Sequence, residues 1–275
     1  MANCIAAFQP PPQLAYDMAT LVQRAYFAPL FLGLNALDLE RPALWVGNHT
    51  LYGLLDVPLM VRELKRRGVV IRMLGDRLHF VVPVWNALTK CSGGVEGSRA
   101  NCATLMQAGQ HILVFPGGAR EVCRRKGEGQ LVWQQRTGFA RMAIEHGYDI
   151  IPFASLGPNE ALDIVLDAKD ITDNFVWRSL NKVVPLNKMT RNGDAILPIT
   201  KGLGPTLIPR PQRQYFGFGQ RISTQQWQGQ SDNKDALWAL RTQTEEAIAN
   251  QFSYLYSYRE KDKHYNWGKW RKKLA

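Results

Sequence analysis

His49 and Asp56 are the residues whose types and spacing best fit acid–base chemistry. His49 follows a short apolar run, residues 43–46, which is typical of a buried strand, and Gly47-Asn48 end that strand in a tight turn. If a helix begins after His49, the seven positions to Asp56 are close to two helical turns and put both side chains on one face. A carboxylate can orient an imidazole that acts as a general base, so we predict that His49 is the base and Asp56 its partner.

A glycine-rich segment after the apolar run of residues 111–115 is a second candidate site. It reads Pro116-Gly117-Gly118-Ala119-Arg120-Glu121. Glycines allow backbone N–H groups to approach a ligand, and an arginine adds a rigid fork of donors, which together favour an anionic group. The lysine and the serine or threonine that end a P-loop are missing. A plain turn is the alternative for two glycines that follow a strand.

Apolar strands alternate with helical segments along most of the chain, and this order predicts an α/β fold with a largely parallel central sheet flanked by helices. The predicted strands are residues 43–46, 69–74, 111–115, 149–154, 161–166 and 214–222. The predicted helices are residues 13–34 with a break at Pro29, 57–67, 76–90, 99–108, 138–146, 175–184 and 235–253. Ligands bind beyond the carboxyl ends of the strands in such sheets. His49 and Gly117 both follow a strand end, so we expect them to share one site.

Three parts are predicted along the chain: an N-terminal amphipathic helical segment (1–40), the α/β domain (41–253) and a helical tail rich in basic and aromatic residues (254–275). The N-terminal helix fits either packing on the core or lying in a membrane interface. The tail composition suits lipid headgroups, single-stranded nucleic acid or simple solvation. Residues 170–212 hold many prolines and glycines, so we expect a surface excursion there.

The composition restricts the partners and the compartment. The 275 residues include 34 basic and 23 acidic ones, and the net charge of +11 favours nucleic acid, an anionic membrane surface or phosphate-bearing substrates. The four cysteines have no metal-ligand spacing, so reduced thiols, no metal site and a cytoplasmic location are expected. The start of the chain lacks the pattern of a signal peptide, and no apolar run reaches the length of a transmembrane helix. Any association with lipid is therefore expected to be peripheral.

Four sequence blocks, in this order, resemble the glycerolipid acyltransferase superfamily, in particular its monoacylglycerol and diacylglycerol acyltransferases and the phytyl ester synthases of plants. The blocks are Gly47-Asn48-His49 with a downstream aspartate, residues 94–101, residues 115–121, and residues 136–141 followed by Gly147, Pro152, Gly157 and Asn159-Glu160. They lie between residues 43 and 164, somewhat under half of the chain. One block alone would be weak support, whereas four in order are specific.

The resemblance implies an O-acyltransferase in which His49 deprotonates the hydroxyl of a lipid acceptor and Asp56 orients the ring. It also implies that other residues of the blocks bind the substrates: Asn48, Arg99, Gly117, Gly118, Arg120, Glu121 and Arg136. The acyl donor thioester would be acyl-CoA or an acyl carrier protein, used as a co-substrate, and no cofactor is expected.

Two departures from the family pattern bear on these roles. The commonest family spacing has four residues between His and Asp, a position held here by Leu54, so Asp56 is displaced by two. Members with phosphorylated acceptors usually carry Phe-Pro-Glu-Gly-Thr-Arg in the third block, whereas Gly117 and Ala119 stand here at the Glu and Thr positions. Neutral-lipid members are more similar in this block, so an acylglycerol or a long-chain alcohol is the expected acceptor.

Two alternative functions remain open. One is a lysophospholipid or glycerol-phosphate acyltransferase, which differs in the acceptor. The other is a non-catalytic lipid- or nucleic-acid-binding module, suggested by the net charge and the tail. Of these partners, nucleic acid is the less expected.

Overall fold

The computed structural model describes residues 8–81, 83–191 and 193–263 of the chain. Its strands are β1 (Leu30–Leu32), β2 (Leu44–Gly47), β3 (Ile71–Gly75), β4 (Gly94–Glu96), β5 (His111–Val114), β6 (Ile150–Leu156), β7 (Asp163–Leu166), β8 (Ile199–Lys201) and β9 (Tyr215–Phe218). Its helices are α1 (Gln13–Ala19), α2 (Leu21–Phe27), α3 (Val57–Arg66), α4 (Leu78–Val81), α5 (Pro83–Cys91), α6 (Arg99–Gln107), α7 (Ala119–Val122), α8 (Gly138–His146), α9 (Ala168–Asp173), α10 (Phe175–Leu180), α11 (Leu186–Met189) and α12 (Lys234–Lys261).

A seven-stranded sheet, in the order β1-β9-β6-β2-β5-β3-β4, forms the centre of the described chain. Neighbouring strands are parallel except for β6 and β9, which run antiparallel. Trp45 of β2 lies opposite Leu113 of β5 and Ile151 of β6, and all three are buried. Strands covered on both faces need apolar side chains on both, which is why these segments are continuous apolar runs. The predicted α/β class with a largely parallel sheet is confirmed.

Helices cover both faces of this sheet. On one face, α6, α8 and α12 pack with the strands in a cluster that includes Leu44, Leu105, Ala143, Ile150 and Leu240. On the other face, α2 and α3 pack with the strands in a cluster that includes Phe27, Trp45, Leu59, Leu64 and Leu113. Close packing on both sides holds the strands in place, so the turns at their carboxyl ends start from fixed positions.

Two short strands of the central sheet escape prediction from the sequence. The strand β1 lies in the segment predicted as a helix, directly after Pro29, and β4 lies in a segment to which neither a strand nor a helix was assigned. Each has three residues, which is too short to show an alternating pattern. The N-terminal segment 1–40 therefore contributes an edge strand to the sheet as well as two helices.

The segment predicted as a fifth strand, residues 161–166, does not join the main sheet. Its strand β7 pairs antiparallel with β8 in a separate two-stranded ribbon. Gly157 turns the chain away from β6 with a φ of +112°, and a Cβ there would lie 2.5 Å from the carbonyl oxygen of Arg213. The excursion expected at residues 170–212 contains α9, α10 and α11 and then the strand β8, which pairs with β7.

The C-terminal helix α12 joins the predicted helix 235–253 to the first part of the predicted helical tail. It continues past residue 253 to Lys261, because Phe252 and Leu255 stay buried and Leu255 packs on Gly217 of β9. The end of the predicted tail, residues 264–275, lies outside the described residues. Within the described ranges, no helix is both long and apolar enough to cross a membrane.

Candidate active site

His49 lies in the turn directly after β2, at the carboxyl end of a central strand. Its ring stacks on Phe115, the residue that follows β5, with 4.0 Å between the ring centroids and 15° between the ring planes. Because β2 and β5 are adjacent and parallel, the two turns predicted to share a site do meet at one edge of the sheet. His49 as a residue is partly exposed, and of its two ring nitrogens Nδ1 is buried.

Gly53 fits closely against the His49 ring. It has a φ of +64°, and a Cβ at this position would lie 2.3 Å from Cε1 of His49 and 3.1 Å from both ring nitrogens. A real Cβ does not approach so closely, so any larger residue at position 53 must displace the ring. Glycine is therefore required here both by the backbone conformation and by the imidazole.

The turn that carries His49 is tied to three distant parts of the chain. The Leu51 amide donates to the side chain of Asn159, at 2.8 Å. The Tyr52 hydroxyl donates to the Pro198 carbonyl oxygen, at 2.7 Å, and lies 2.9 Å from the hydroxyl of Thr200 in β8. Tyr52 has a φ of 62°, a left-handed conformation that is strained for a residue with a side chain. These contacts hold the turn in one conformation.

The third tie of this turn is Glu121, which is fully buried. One carboxylate oxygen accepts from the His49 amide at 3.0 Å, and the other accepts from the Val132 amide at 2.9 Å. Burial raises the pKa of Glu121 to about 7, although both amides and the charges of Arg124 and Arg136 act in the opposite direction. This residue was predicted to bind substrate. Its oxygens instead support the backbone of His49 from inside the protein.

Asp56 is not placed as its spacing suggested. Residues 51–53 form a single short helical turn, and α3 begins only at Val57, so His49 and Asp56 do not share a helical face. Asp56 caps α3: its Oδ1 accepts from the Val57 amide at 2.9 Å and from the Thr50 hydroxyl at 2.7 Å. Burial raises the pKa of this carboxyl group above its ordinary value. Asp56 thus reaches the His49 turn through Thr50, and its role as the partner of the ring remains a prediction.

Two further residues predicted to contact substrate make internal contacts instead. The buried Asn48 exchanges two hydrogen bonds with the backbone of Ser155, at 3.0 and 2.8 Å, and so joins the end of β2 to β6. The buried Arg120 pairs with Glu128 and with Asp194, the latter at 3.2 Å. A buried guanidinium neutralised by two carboxylates argues against the anion-binding role predicted for Arg120.

Arg136 and Gly118 shape the glycine-rich turn after β5. Arg136 donates from one guanidinium nitrogen to the carbonyl oxygens of Pro116 and Gly117, at 3.0 and 2.7 Å. Gly118 has a φ of 51°, and its amide closes the turn on the Phe115 carbonyl oxygen at 2.9 Å. Gly117 lies over Glu121, since a Cβ at position 117 would lie 2.3 Å from the Glu121 side chain. The glycine pair is thus needed for packing around Glu121 as well as for the turn.

An apolar cavity of about 250 Å³ adjoins Phe115 between the sheet and the helices α6 and α8. Its apolar lining includes Leu44, Leu74, Cys102, Val114, Phe139 and Met142. Three polar residues also line the cavity: Asp76, Ser98 and Arg99. Of these, Ser98 and Arg99 are exposed. A pocket with apolar walls and a few polar groups suits a ligand that has an apolar chain and a polar head. A larger cleft, about 700 Å³, lies along α12 and contains none of the predicted site residues.

The domain around these residues matches a known family. Residues 29–156 match the family described as Acyltransferase, and this range contains His49, the glycine-rich turn and Phe115. The chain contains an acyltransferase-family domain. The resemblance stated from the four blocks is therefore confirmed, and the acyltransferase-family domain includes the strand β1, which the blocks do not reach.

Relatives of the acyltransferase-family domain act on lipids, as their names state. Phytyl ester synthase 2, chloroplastic, of Arabidopsis thaliana is 30% identical over 241 residues, which are 83% of this chain and 34% of that protein. Diacylglycerol O-acyltransferase 2B of Umbelopsis ramanniana is 29% identical over 114 residues, 40% of this chain and 32% of that protein. The chain spans about a third of the length of the curated relatives it matches.

A solved structure covers a similar extent of the chain. The 1-acyl-sn-glycerophosphate (LPA) acyltransferase PlsC from Thermotoga maritima aligns with a TM-score of 0.48 and 11% identity, over 89% of this chain and 86% of that one.

Several residues of the site were missed by reasoning from the sequence. Phe115, Tyr52 and Gly53 touch or support His49, yet none was assigned a role. Gly53 had a visible signal, since a glycine four positions after a candidate catalytic residue suggests a close approach of the backbone. Asn159 stood in a family block without a role, and its contact with Leu51 spans 108 positions, which no local pattern predicts.

Proposed function

We propose that this chain is an O-acyltransferase that moves a fatty acyl group from a thioester donor to the hydroxyl of a neutral lipid, with His49 as the general base. The observation that carries the proposal is the His49 ring itself. His49 is partly exposed at the carboxyl end of β2, and its ring is stacked on Phe115, which also lines the apolar cavity. Phe115 is thus the residue that the proposed base and the proposed acyl pocket have in common.

The reaction follows from this geometry in two steps. His49 takes the proton of the acceptor hydroxyl while the acceptor oxygen attacks the thioester carbonyl carbon, which gives a tetrahedral intermediate and an imidazolium. The carbon–sulfur bond then breaks, the thiolate takes the proton back from the imidazolium, and an ester and a free thiol leave. Glu121, Asn159 and Tyr52 hold the His49 turn throughout, which keeps the ring oriented without solvent rearrangement.

The donor and the acceptor are assigned from chemistry around the cavity. The apolar walls suit the fatty acyl chain, and the exposed Arg99 beside them suits a phosphate of acyl-CoA or of the pantetheine arm of an acyl carrier protein. The buried and neutralised Arg120 gives no support to a phosphorylated acceptor at the glycine-rich turn. An acylglycerol or a long-chain alcohol is therefore the proposed acceptor, in line with the names of the relatives.

The proposal is tested by offering the purified protein labelled acyl-CoA with an equimolar pair of acceptors. Diacylglycerol or phytol competes in each reaction with 1-acyl-glycerol phosphate, and the labelled esters are separated by chromatography. We expect most of the label in the neutral ester. A clear preference for the phosphorylated acceptor would contradict the proposed neutral acceptor and indicate a lysophospholipid instead.

Replacing Gly53 with alanine is expected to lower kcat by about 10- to 100-fold, because the new methyl group must push the imidazole from its position. The matched control is Gly68→Ala: Gly68 also has a positive φ, of +84°, and no atom lies within 4 Å of its would-be Cβ. Both variants carry a similar backbone cost of about 1–2 kcal/mol. Steady-state kinetics should show the loss in Gly53→Ala only, and equal kcat values in the two would contradict the placement of the ring.

Filling the cavity is expected to change the preferred acyl chain. Gly138 lines the cavity, and a Cβ there meets no atom within 4 Å, so Gly138→Leu adds volume without a collision at Cβ. We expect the ratio of kcat/KM for palmitoyl-CoA to that for octanoyl-CoA to fall about tenfold or more. Gly129→Leu is the control, since its Cβ also meets open space and Gly129 does not line the cavity. An unchanged ratio would mean that the acyl chain binds elsewhere.

Peripheral binding to an anionic membrane surface is part of the proposal. The acceptors are membrane lipids, and the helices α1 and α2 expose apolar side chains at Leu14, Met18, Leu21 and Val22. Their spacing of four, three and one repeats with the helical period, although the helix is interrupted at Thr20. Such an apolar stripe suits a membrane interface, the second of the two roles predicted for the N-terminal segment.

A further inference from the structure

The excursion of residues 170–212 exposes an unusual amount of apolar surface. Its helix α10 has no buried residue, and Phe175 and Val183 are 81% and 84% exposed. Further along, Leu207 is 71% exposed. A helix normally buries an apolar stripe against the protein, so an apolar helix with no residue buried by the described parts of the chain is open to a further partner.

The charges of the same excursion favour an anionic partner. Residues 174–189 include Arg178, Lys182 and Lys188 and contain no aspartate or glutamate. Apolar and basic side chains therefore alternate without acidic ones over α10 and α11. This is the composition of segments that lie in the headgroup region of an anionic bilayer. A protein interface of the same size usually excludes such a density of lysine.

The ribbon connects this surface to the catalytic turn. Leu166 of β7 lies opposite Ile199 of β8, and both side chains are exposed. The next residue, Thr200, faces inward, is buried and contacts the Tyr52 hydroxyl. The ribbon thus exposes the apolar pair Leu166–Ile199 next to the charged pair Asp163–Lys201, while Thr200 joins it to the turn that carries His49.

The N-terminal apolar stripe borders the same turn from another side. Gln23 of α2 donates to the carbonyl oxygen of Leu54 at 3.0 Å, and Leu54 is itself exposed. Tyr26 of α2 donates to the carbonyl oxygen of Pro209 at 2.7 Å, directly after the exposed Ile208. Helix α2 therefore contacts both Leu54, in the segment that follows His49, and the excursion.

We infer that the ribbon β7–β8 and the helix α10 form a lipid-docking surface that presents the His49 turn, through Tyr52, to an acceptor in an anionic bilayer. The role of the acceptor rests on the proposed function, whereas docking itself does not. The bilayer brings the hydroxyl of a neutral lipid next to the His49 turn. The hydrogen bonds of the Tyr52 hydroxyl couple the position of the ribbon to that of His49. A membrane is the committed occupant because the apolar residues of 174–189 are interleaved with three basic residues and no acidic one, although Arg178 also pairs with Asp173 of α9 at 3.5 Å.

Flotation with vesicles tests the docking surface without any acyl donor. The wild-type protein is expected to float with vesicles of phosphatidylcholine and phosphatidylglycerol, and less with phosphatidylcholine alone. Phe175→Ser/Val183→Ser removes two exposed side chains, so its thermal unfolding should match the wild type, and it should need about tenfold or more lipid for half-binding. The control Val81→Ser/Leu88→Ser changes two exposed apolar residues outside this surface and should float like the wild type.

Two results would overturn the docking surface. One is equal flotation of the Phe175→Ser/Val183→Ser variant and the wild type. The other is a wild-type dimer in light scattering that this variant dissociates, which would assign the surface to a second copy of the chain. His49→Ala should float like the wild type. A wild-type protein that floats but transfers no acyl group would contradict the proposed function and leave the docking surface standing.

Coupling through Tyr52 has its own measurement. Tyr52→Phe removes the hydroxyl that binds Pro198 and Thr200 and keeps the ring. We expect unchanged flotation and a severalfold lower kcat with acceptor in vesicles. An unchanged kcat would contradict the coupling of the ribbon to His49 through Tyr52.

Discussion

Replacing His49 with alanine is expected to lower kcat by about 10²- to 10⁴-fold, the range that removal of a general base produces. The acceptor hydroxyl is then left without a group to take its proton as it attacks the thioester. The fold should survive, because the contact that anchors this turn is the backbone amide of residue 49 with Glu121, which alanine retains. KM for the donor should change little, since the acyl cavity lies on Phe115 and the side chains around it.

The control for this variant is His146→Ala. His146 lies in the last turn of α8, away from Phe115 and the cavity, so its removal should leave kcat within a factor of two or so of the wild type. Thermal unfolding of both variants shows whether they are folded under the assay conditions. A His49→Ala protein that unfolds like the wild type and turns over at a similar rate would remove His49 as the base.

Replacing Glu121 with glutamine is expected to lower kcat by about 10- to 100-fold, although the side chain keeps its shape. Glu121 accepts one amide on each oxygen, from His49 and from Val132. Glutamine has one acceptor oxygen and one NH₂ group, so one of these amides must face a donor. The His49 turn should then shift. A raised KM with an unchanged kcat would instead restore the substrate-binding role predicted from the sequence.

The pH dependence of stability gives a second readout for Glu121. Its pKa of about 7 in the folded protein exceeds its ordinary value of 4.5, so the folded state binds more protons than the unfolded state between these values. The contribution of Glu121 to the free energy of unfolding is therefore full below pH 4.5 and is lost as the pH rises through 7. Arg124 and Arg136, which face this carboxylate, reduce the loss without reversing it.

Glu121→Gln should remove this dependence. In urea unfolding at pH 5 and pH 8, the wild type is expected to lose more stability between the two values than the glutamine variant does. The difference isolates Glu121 from other titrating groups, including the buried Asp56, because both proteins share them. Identical losses in the two proteins would contradict the burial of an ionisable group at this position.

The central part of the fold could be predicted from the sequence because its strands are buried on both faces. β2, β5 and β6 are continuous apolar runs, and β2 and β5 lead into glycine-containing turns, so the site of His49 and Gly117 at one sheet edge followed from the pattern alone. The three-residue strands β1 and β4 carry no such pattern. The departure of β7 from the sheet depends on Gly157, whose φ the sequence does not reveal.

The roles of the polar residues could not be predicted in the same way. Asn48 directly follows β2, and Arg120 and Glu121 lie in α7, the short helix after β5, where a polar side chain either faces a ligand or is buried with a partner. Which of these holds depends on contacts that are distant in sequence, such as those of Asn48 with Ser155 and of Arg120 with Asp194. Residue type and spacing indicated that His49 and the glycine pair lie at one edge of the sheet, and the role of His49 as the base is a proposal. They did not distinguish the residues that bind substrate from those that hold the base.

The most direct test of the account is mass spectrometry of the products that the purified chain forms from isotope-labelled palmitoyl-CoA and a neutral acceptor, with wild type and His49→Ala side by side. The account predicts a labelled neutral ester and an equal amount of free CoA from the wild type, and no more than background from the variant. The same ester yield from both proteins, or CoA release by the wild type without ester, would contradict acyl transfer by His49.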